Sequence, residues 1–374
     1  MKKLYPVLLL ALVVVFTGCG QNGKTEKNNT ENSKETSNKN IKYEELDTSA
    51  LEVYSYDGDG KAAYELATRY DHGTNVDQNY SEALKWYIKA SELGIKKSNI
   101  GVGYLYLFGL GTDKDVTKAQ SCFQSAIDEG QPEGYVGMGR VYLYNPELPD
   151  SSVNCYYNFR TAADADVPLG TYFLGLMYEK GIGVQANDKL AIEKYESLTK
   201  EKSSSTSESD LYPYQNAEIR LGLMYSNGTG VTQDREKALS LFEKAAESGS
   251  AEGKYYAGIS YLNGYGASKD YKKAMDYFNG AEKYAPALNQ LGYMYFNGLG
   301  TDSDIDQAEY YLKLAALQGY APSQINLGYI YENGYAEKVN LQLAKSYYDL
   351  AAQSGYQGAE EAAAGVEQLI NDQN

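Results

Sequence analysis

A chain of 374 residues has room for two or three ordinary domains or one long repeat array. Its formal charge of −16 argues against nucleic acid, because affinity for a phosphate backbone comes largely from Lys and Arg. A single His leaves no room for His-pair metal sites, and the aromatic content is carried by 39 Tyr against 8 Phe and one Trp.

The first element is an export signal over 1–18. Lys2 and Lys3 form its charged start, and Leu4 to Phe16 form an apolar core too short for an ordinary membrane span. The run Phe16-Thr17-Gly18-Cys19 resembles a bacterial lipoprotein box, with Phe16 where Leu is usual. The resemblance implies cleavage before Cys19 and lipid on its sulfur. The mature chain would then be exported and held at the outer face of the cytoplasmic membrane, or in the periplasm or outer membrane of a host that has one. An ordinary cleaved signal and a free secreted protein is the other reading. Residues 19–40 read as a tether. Gly20 to Asn40 contains no Val, Ile, Leu or aromatic residue, so it cannot join a core and is predicted to be disordered. As a flexible coil it would span roughly 25 Å. Residues 41–59 form an N-terminal segment to which no structure is assigned.

From 60 to 357 the chain repeats itself. One small residue marks each copy: Ala67, Gly103, Gly139, Gly175, Gly222, Gly258, Gly292 and Gly328. The spacings are 36, 36, 36, 47, 36, 34 and 36, and the long interval holds the polar insertion EKSSSTSESD at 201–210. Three residues after the small one comes Tyr in all eight copies, from Tyr70 to Tyr331, and three further on comes Gly in seven, with Asn145 in the third. Six residues later stands a helix N-cap type: Asn79, Asp115, Ser151, Asn187, Asp234, Asp270, Asp304 or Asn340. A small residue then follows at i, an aromatic at i+4 in seven copies with Leu312 the exception, and Ala at i+7 in seven with Leu198 the exception, as in Ala238, Phe242 and Ala245, which is one face of a helix. Gly inside the first helix costs roughly 1 kcal/mol relative to Ala, which makes sense where two helices must approach closely. Each copy is therefore helix, glycine loop, helix. A phosphate-cradling loop would occur once, after a strand, so these glycines are read as turns. The terminal stretch 358–374 carries Glu367 at the repeat Tyr position and reads as a polar C-terminal cap helix.

The run Ala-x-x-x-Leu-Gly-x-x-Tyr-x-x-Gly-x-Gly-Val-x-x-Asp-x-x-x-Ala at 217–238 resembles the Sel-one-like repeats, a branch of the tetratricopeptide superfamily. So do AAESG at 245–249, AALQG at 315–319 and AAQSG at 351–355. The third copy departs most, lacking both loop glycines and carrying Pro146 and Pro149. The resemblance implies an all-α fold, a right-handed α/α superhelical solenoid of about eight repeats. It also implies an adaptor that holds a protein or extended peptide on a concave surface.

Catalysis has little support. His72 beside Asp71 is the only His, and no Ser or Cys has a His to activate it. No metal, cofactor or nucleic acid is called for. Cys122 and Cys155 read as small packing residues, with a bridge between them as the lesser alternative. In tetratricopeptide-like stacks the first helix of each pair lines the groove. Carried onto this sequence, that places Tyr64, Tyr104, Phe108, Arg140, Tyr144, Tyr172, Tyr255, Tyr293, Phe296 and Tyr329 on the binding face. Tyr offers a large apolar face with a polar tip at low entropy cost. The competing reading of each Tyr is packing against the next repeat, and the eight repeat-defining Tyr are expected in the core. The acidic balance suits a basic partner. The alternative function is a receptor for a soluble ligand such as a sugar or cell-wall fragment.

Overall fold

The structure is a computed structural model, and it describes residues 41–201 and 211–373. The signal at 1–18, Cys19, the tether and the insertion from 202 onward lie outside the described residues. Those described residues are helical throughout, with no strand.

Eight helix pairs follow one another. Their first helices are α2 (Gly60–His72), α4 (Ser98–Phe108), α6 (Glu133–Tyr144), α8 (Pro168–Lys180), α10 (Tyr212–Asn227), α12 (Ala251–Asn263), α14 (Ala285–Asn297) and α16 (Ala321–Asn333). Their second helices are α3 (Tyr80–Glu92), α5 (Val116–Asp128), α7 (Ser151–Asp164), α9 (Asp188–Glu201), α11 (Arg235–Glu247), α13 (Tyr271–Asn279), α15 (Ile305–Leu317) and α17 (Leu341–Gln353). A short helix α1 (Thr48–Tyr56) precedes them and α18 (Ala359–Asp372) follows. This is an α/α solenoid. The described residues divide into two compact units, one of 41–170 with 182–184, the other of 171–181 with 185–201 and 211–373.

The repeat grammar has a physical cause at each step. In seven copies the cap side chain accepts a hydrogen bond from the backbone N–H three residues on, as Asp234 does from Lys237 at 2.9 Å. In the same seven the cap's own N–H donates to the carbonyl of the repeat Tyr, as Asp234 does to Tyr225 at 2.9 Å, which closes the loop. The third copy differs. Ser151 is not the cap; Asp150 stands there with φ of 51° and makes no side-chain cap bond. Asn145 replaces the loop glycine at φ of −131°, so the left-handed turn is absent, and its side chain bonds Val141 O and Lys114 Nζ instead.

The mid-helix glycines sit where the second helix presses its aromatic onto the first. A Cβ on Gly103, Gly139 or Gly258 would lie 2.6 Å from the ring of Phe123, Phe159 or Phe278. The rings of Phe123, Phe159 and Phe278 are fully buried. Cys155 is buried at the small-residue position of α7, Cys122 is half-buried, and no disulfide joins them.

In the first unit, residues 41–59 form a cap. A 3₁₀ turn at Tyr43–Glu45 and α1 pack on α2. Arg69, 2% exposed, fastens them by donating to the carbonyls of Leu46 at 2.7 Å, Tyr43 at 3.0 Å and Glu44 at 3.1 Å. In the second unit α18 packs on α17, burying Ala359, Ala363 and Val366. First helices also touch their successors, α4 with α6 in one unit and α10 with α12 in the other, which puts them on the inner side.

Candidate functional site

The inner faces carry the candidate residues, and the two units differ. In the first unit Arg140 on α6 lies among three rings: Tyr104 at 5.0 Å, Phe108 at 5.4 Å and Tyr144 at 5.8 Å. Burial works against the guanidinium's charge, but the Tyr104 and Tyr144 hydroxyls outweigh it and hold its pKa up. Phe108 stacks beside Tyr104 at 6.3 Å and is exposed, so this cluster presents an aromatic edge around a held cation. Tyr64 on α2 is half-buried, edge-on to Tyr87 with Lys97 over its face at 3.9 Å.

In the second unit the first helices α8, α10 and α12 bring a charged cluster together. Arg220 on α10 donates from both Nε and an Nη to the carboxylate of Glu179 on α8, which also pairs with Lys180 at 2.9 Å. Burial alone would raise the pKa of Glu179, but the bonds from Arg220 and Lys180 win and hold it low. Tyr172, beside them, is 7% exposed and packs against Phe173, Tyr195 and Tyr212. Tyr255 is half-buried and touches Tyr256, Phe278 and Tyr284. Further along, Phe296 and Tyr329 meet at 6.4 Å with Tyr335 against both. Tyr329 and Tyr335 are exposed, as is Tyr293. Of the ten candidates, then, Tyr104, Phe108, Arg140 and Tyr144 form one cluster and Phe296 and Tyr329 another.

The sequence reading missed Glu252, Arg220, Tyr284 and Tyr335. A signal existed for part of this: Tyr284, Tyr320 and Tyr356 recur at the repeat spacing of 36 just before successive first helices. The repeat-defining tyrosines are less buried than expected. Tyr225, Tyr261 and Tyr331 are buried, while Tyr70, Tyr106, Tyr142, Tyr178 and Tyr295 are half-buried. The buried three bond acids through their hydroxyls. Tyr225, Tyr261 and Tyr331 donate to Glu196, Glu243 and Glu309 on the second helix of the preceding repeat, so the ring packs while the tip reaches the unit's edge. Lys118, Lys237 and Lys273 lie over the rings of Tyr106, Tyr225 and Tyr261.

His72 Nε2 lies 4.0 Å from Asp71. Burial raises the Asp71 pKa, with His72 and the Tyr87 hydroxyl opposing. Among the described residues no group of three or more His, Cys, Asp or Glu side chains could hold a metal. No helix among them is long and apolar enough to cross a membrane.

The family model of the Sel1 repeat matches residues 60–95, 97–131, 168–195, 215–250, 251–280, 285–320 and 321–356. The chain belongs to the Sel1 repeat family. The stretch between the second and third matches is the copy whose cap and loop are built differently, yet it still folds as the pair α6 and α7. A Sel1 repeat protein from Oxalobacter formigenes is similar in structure, with a TM-score of 0.58 and 24% identity over 86% of this chain and 90% of that one. Yeast Tom70 has a TM-score of 0.51 and 13% identity over 87% of this chain and 69% of that one. A protective antigen of uropathogenic Escherichia coli with an SLR fold has a TM-score of 0.34 and 23% identity, over 85% and 82%. No curated protein sequence matches the chain. Sel1 repeat chains are typically protein-interaction scaffolds.

Proposed function

We propose that this Sel1 repeat chain is an exported, lipid-tethered scaffold that holds a protein or extended peptide along its first helices. The observation that carries the reading is the exposure of aromatic rings on that inner face: Phe108 in the first unit, Tyr293 and Tyr329 in the second. Large rings half out of a packed helix are the kind of group that dominates interface energy. The tether supports the anchoring half, since a Cys19 lipid followed by a coreless spacer would let the body stand off a membrane.

The test replaces Phe108, Tyr293 and Tyr329 with Ala. The control replaces Tyr157, Tyr310 and Leu350, which are exposed to a similar degree on second helices. Cross-linking on native cells, with the captured chain sequenced, should show partner loss in the first variant alone. Loss in the control alone would move the site off the inner face, and release of a soluble sugar in place of a protein would favour the receptor reading. Cys19→Ala should shed the protein from the membrane; unchanged partitioning with an unmodified N-terminal peptide would end the lipid proposal.

A further inference from the structure

In the second unit, Glu252 stands apart from the other carboxylates. It lies in the first turn of α12, with Tyr255 at i+3 and Tyr256 at i+4, so all three share one helix face. The rings are fixed. Tyr255 meets Tyr256 at 5.2 Å and Tyr284 at 5.6 Å, both edge-on, and Tyr256 stacks on Phe242 at 5.1 Å. Glu252 is half-buried, and among the described residues its carboxylate accepts no hydrogen bond. Burial raises its pKa; Arg220 opposes this, but Arg220 is already spanned by Glu179. The phenols of Tyr172, Tyr256 and Tyr284 are raised first by burial, and each also feels the Glu252 charge. The carboxylate thus shares its helix face with Tyr255 and Tyr256, and its charge reaches Tyr172 on α8 and Tyr284 at the start of α14.

A carboxylate half withdrawn from water without a hydrogen-bond partner is costly. The surrounding surface is arranged to accept a cation. From α12 onward the first helices carry only three charged residues: Glu252, Lys254 and Glu332. Lys254 donates to the carbonyl of Gly280 at 2.8 Å, and Glu332 accepts from the Tyr348 hydroxyl at 2.8 Å. Lys254 keeps its charge but is turned to the Gly280 carbonyl, and an anion would meet Glu252.

We propose that Glu252 and its tyrosines form a seat for a primary ammonium group, the side chain of a lysine in the segment that the inner face holds. The proposal rests on the scaffold reading and adds the chemistry of one contact. The ammonium donates to the Glu252 carboxylate and to tyrosine hydroxyls, and the lysine stem lies along the rings of Tyr255 and Tyr256.

The test titrates hexalysine amide, and its fully Nε-acetylated form, into the full mature chain by calorimetry at low ionic strength. Wild type should bind hexalysine and not the acetylated peptide. Glu252→Gln should weaken binding at least fivefold with melting undiminished. The double variant Glu360→Gln with Glu361→Gln, which removes two exposed charges from α18, should stay within twofold of wild type. Absence of hexalysine binding to wild type overturns the proposal. So does equal weakening by the two variants, which would assign the affinity to overall acidity. If Glu252→Gln changes neither hexalysine affinity nor partner capture while the Phe108, Tyr293, Tyr329 variant loses capture, the lysine seat falls and the scaffold stands. If capture survives that triple variant, the scaffold reading falls, whatever hexalysine reports.

Discussion

The glycine at the centre of seven of the eight first helices should respond to a single added methyl with a sign opposite to that of an ordinary helical glycine. Gly222 on α10 is the sharpest place to look. A Cβ there would lie 2.5 Å from Cε1 and 2.9 Å from Cδ1 of Phe242, far inside carbon–carbon contact. The ring cannot swing aside, because it is 3% exposed and stacked on Tyr256. Gly222→Ala gains helix propensity of about 1 kcal/mol. It then meets an overpacking cost of about 1–3 kcal/mol, so the balance is a loss of about 1 kcal/mol. Gly365 on α18 is the control: it is exposed, and nothing lies within 4 Å of the position its Cβ would take. Gly365→Ala should keep the propensity gain of about 1 kcal/mol. Urea unfolding followed by circular dichroism should move the midpoint down for Gly222→Ala and up for Gly365→Ala. Two upward shifts would refute the close-approach explanation, since the ring would then have yielded at no cost.

Tyr348→Phe removes the hydroxyl bonded to Glu332 and should cost about 1 kcal/mol, whereas adding Glu332→Leu should recover most of it in the same unfolding assay. Arg220→Met removes two charged bonds from Glu179, leaving those from Lys180 and Tyr195, and should cost about 2 kcal/mol at neutral pH. Because the folded Glu179 pKa lies below the unfolded one, its contribution is present above the ordinary carboxylate range and is lost as pH falls through the folded value. Stability measured against pH should therefore fall less steeply in acid for Arg220→Met than for wild type. Glu252 has the opposite sign, its folded pKa being raised, so Glu252→Gln should raise the melting temperature at neutral pH and the gain should fade in acid. Asn145→Gly restores the family residue to the third loop yet should destabilise it by about 1 kcal/mol, since φ there is not left-handed and two side-chain bonds are lost; a gain in melting temperature would contradict this.

How much of this was legible in the sequence divides by range. The caps, turns and close glycines are local, each fixed within a dozen residues, and a 36-residue period repeats them until coincidence is excluded. The third copy misled at Ser151 because its loop is held from outside the local pattern, by Lys114 of the previous repeat. The buried tyrosines of the second helices were legible at one step further out, by comparing columns. Where the aromatic is Tyr87, Tyr195 or Tyr348, the residue sixteen before it is Asp71, Glu179 or Glu332, and each phenol donates to that acid. Where it is Phe123, Phe159 or Phe278, the partner column holds Leu107, Leu143 or Leu262, because a ring without a hydroxyl needs no acceptor. The two columns change together because a buried hydroxyl must be satisfied and a buried carboxylate must be engaged.

The Glu252 neighbourhood follows no such column rule, and the reason is geometric. Its surroundings are assembled by curvature, which brings α8, α10, α12 and the start of α14 to one place across more than one hundred residues of chain. A repeat pattern reports what every copy must keep in order to stack. It is silent on where a shared residue type finds different neighbours: the column of Glu252 holds Asn216 and Pro286 in the adjacent copies and Glu133 in the third, and only Glu252 lies among tyrosines of later helices. Structural columns can be averaged across a solenoid; the residues that set a partner apart are found where a single copy breaks its column without a packing reason. Arg140 meets that description, the equivalent residues in adjacent copies being Tyr104 and Leu176, whereas Glu252 shares its column with Glu133. One presents a carboxylate among tyrosines and the other a guanidinium among aromatic rings.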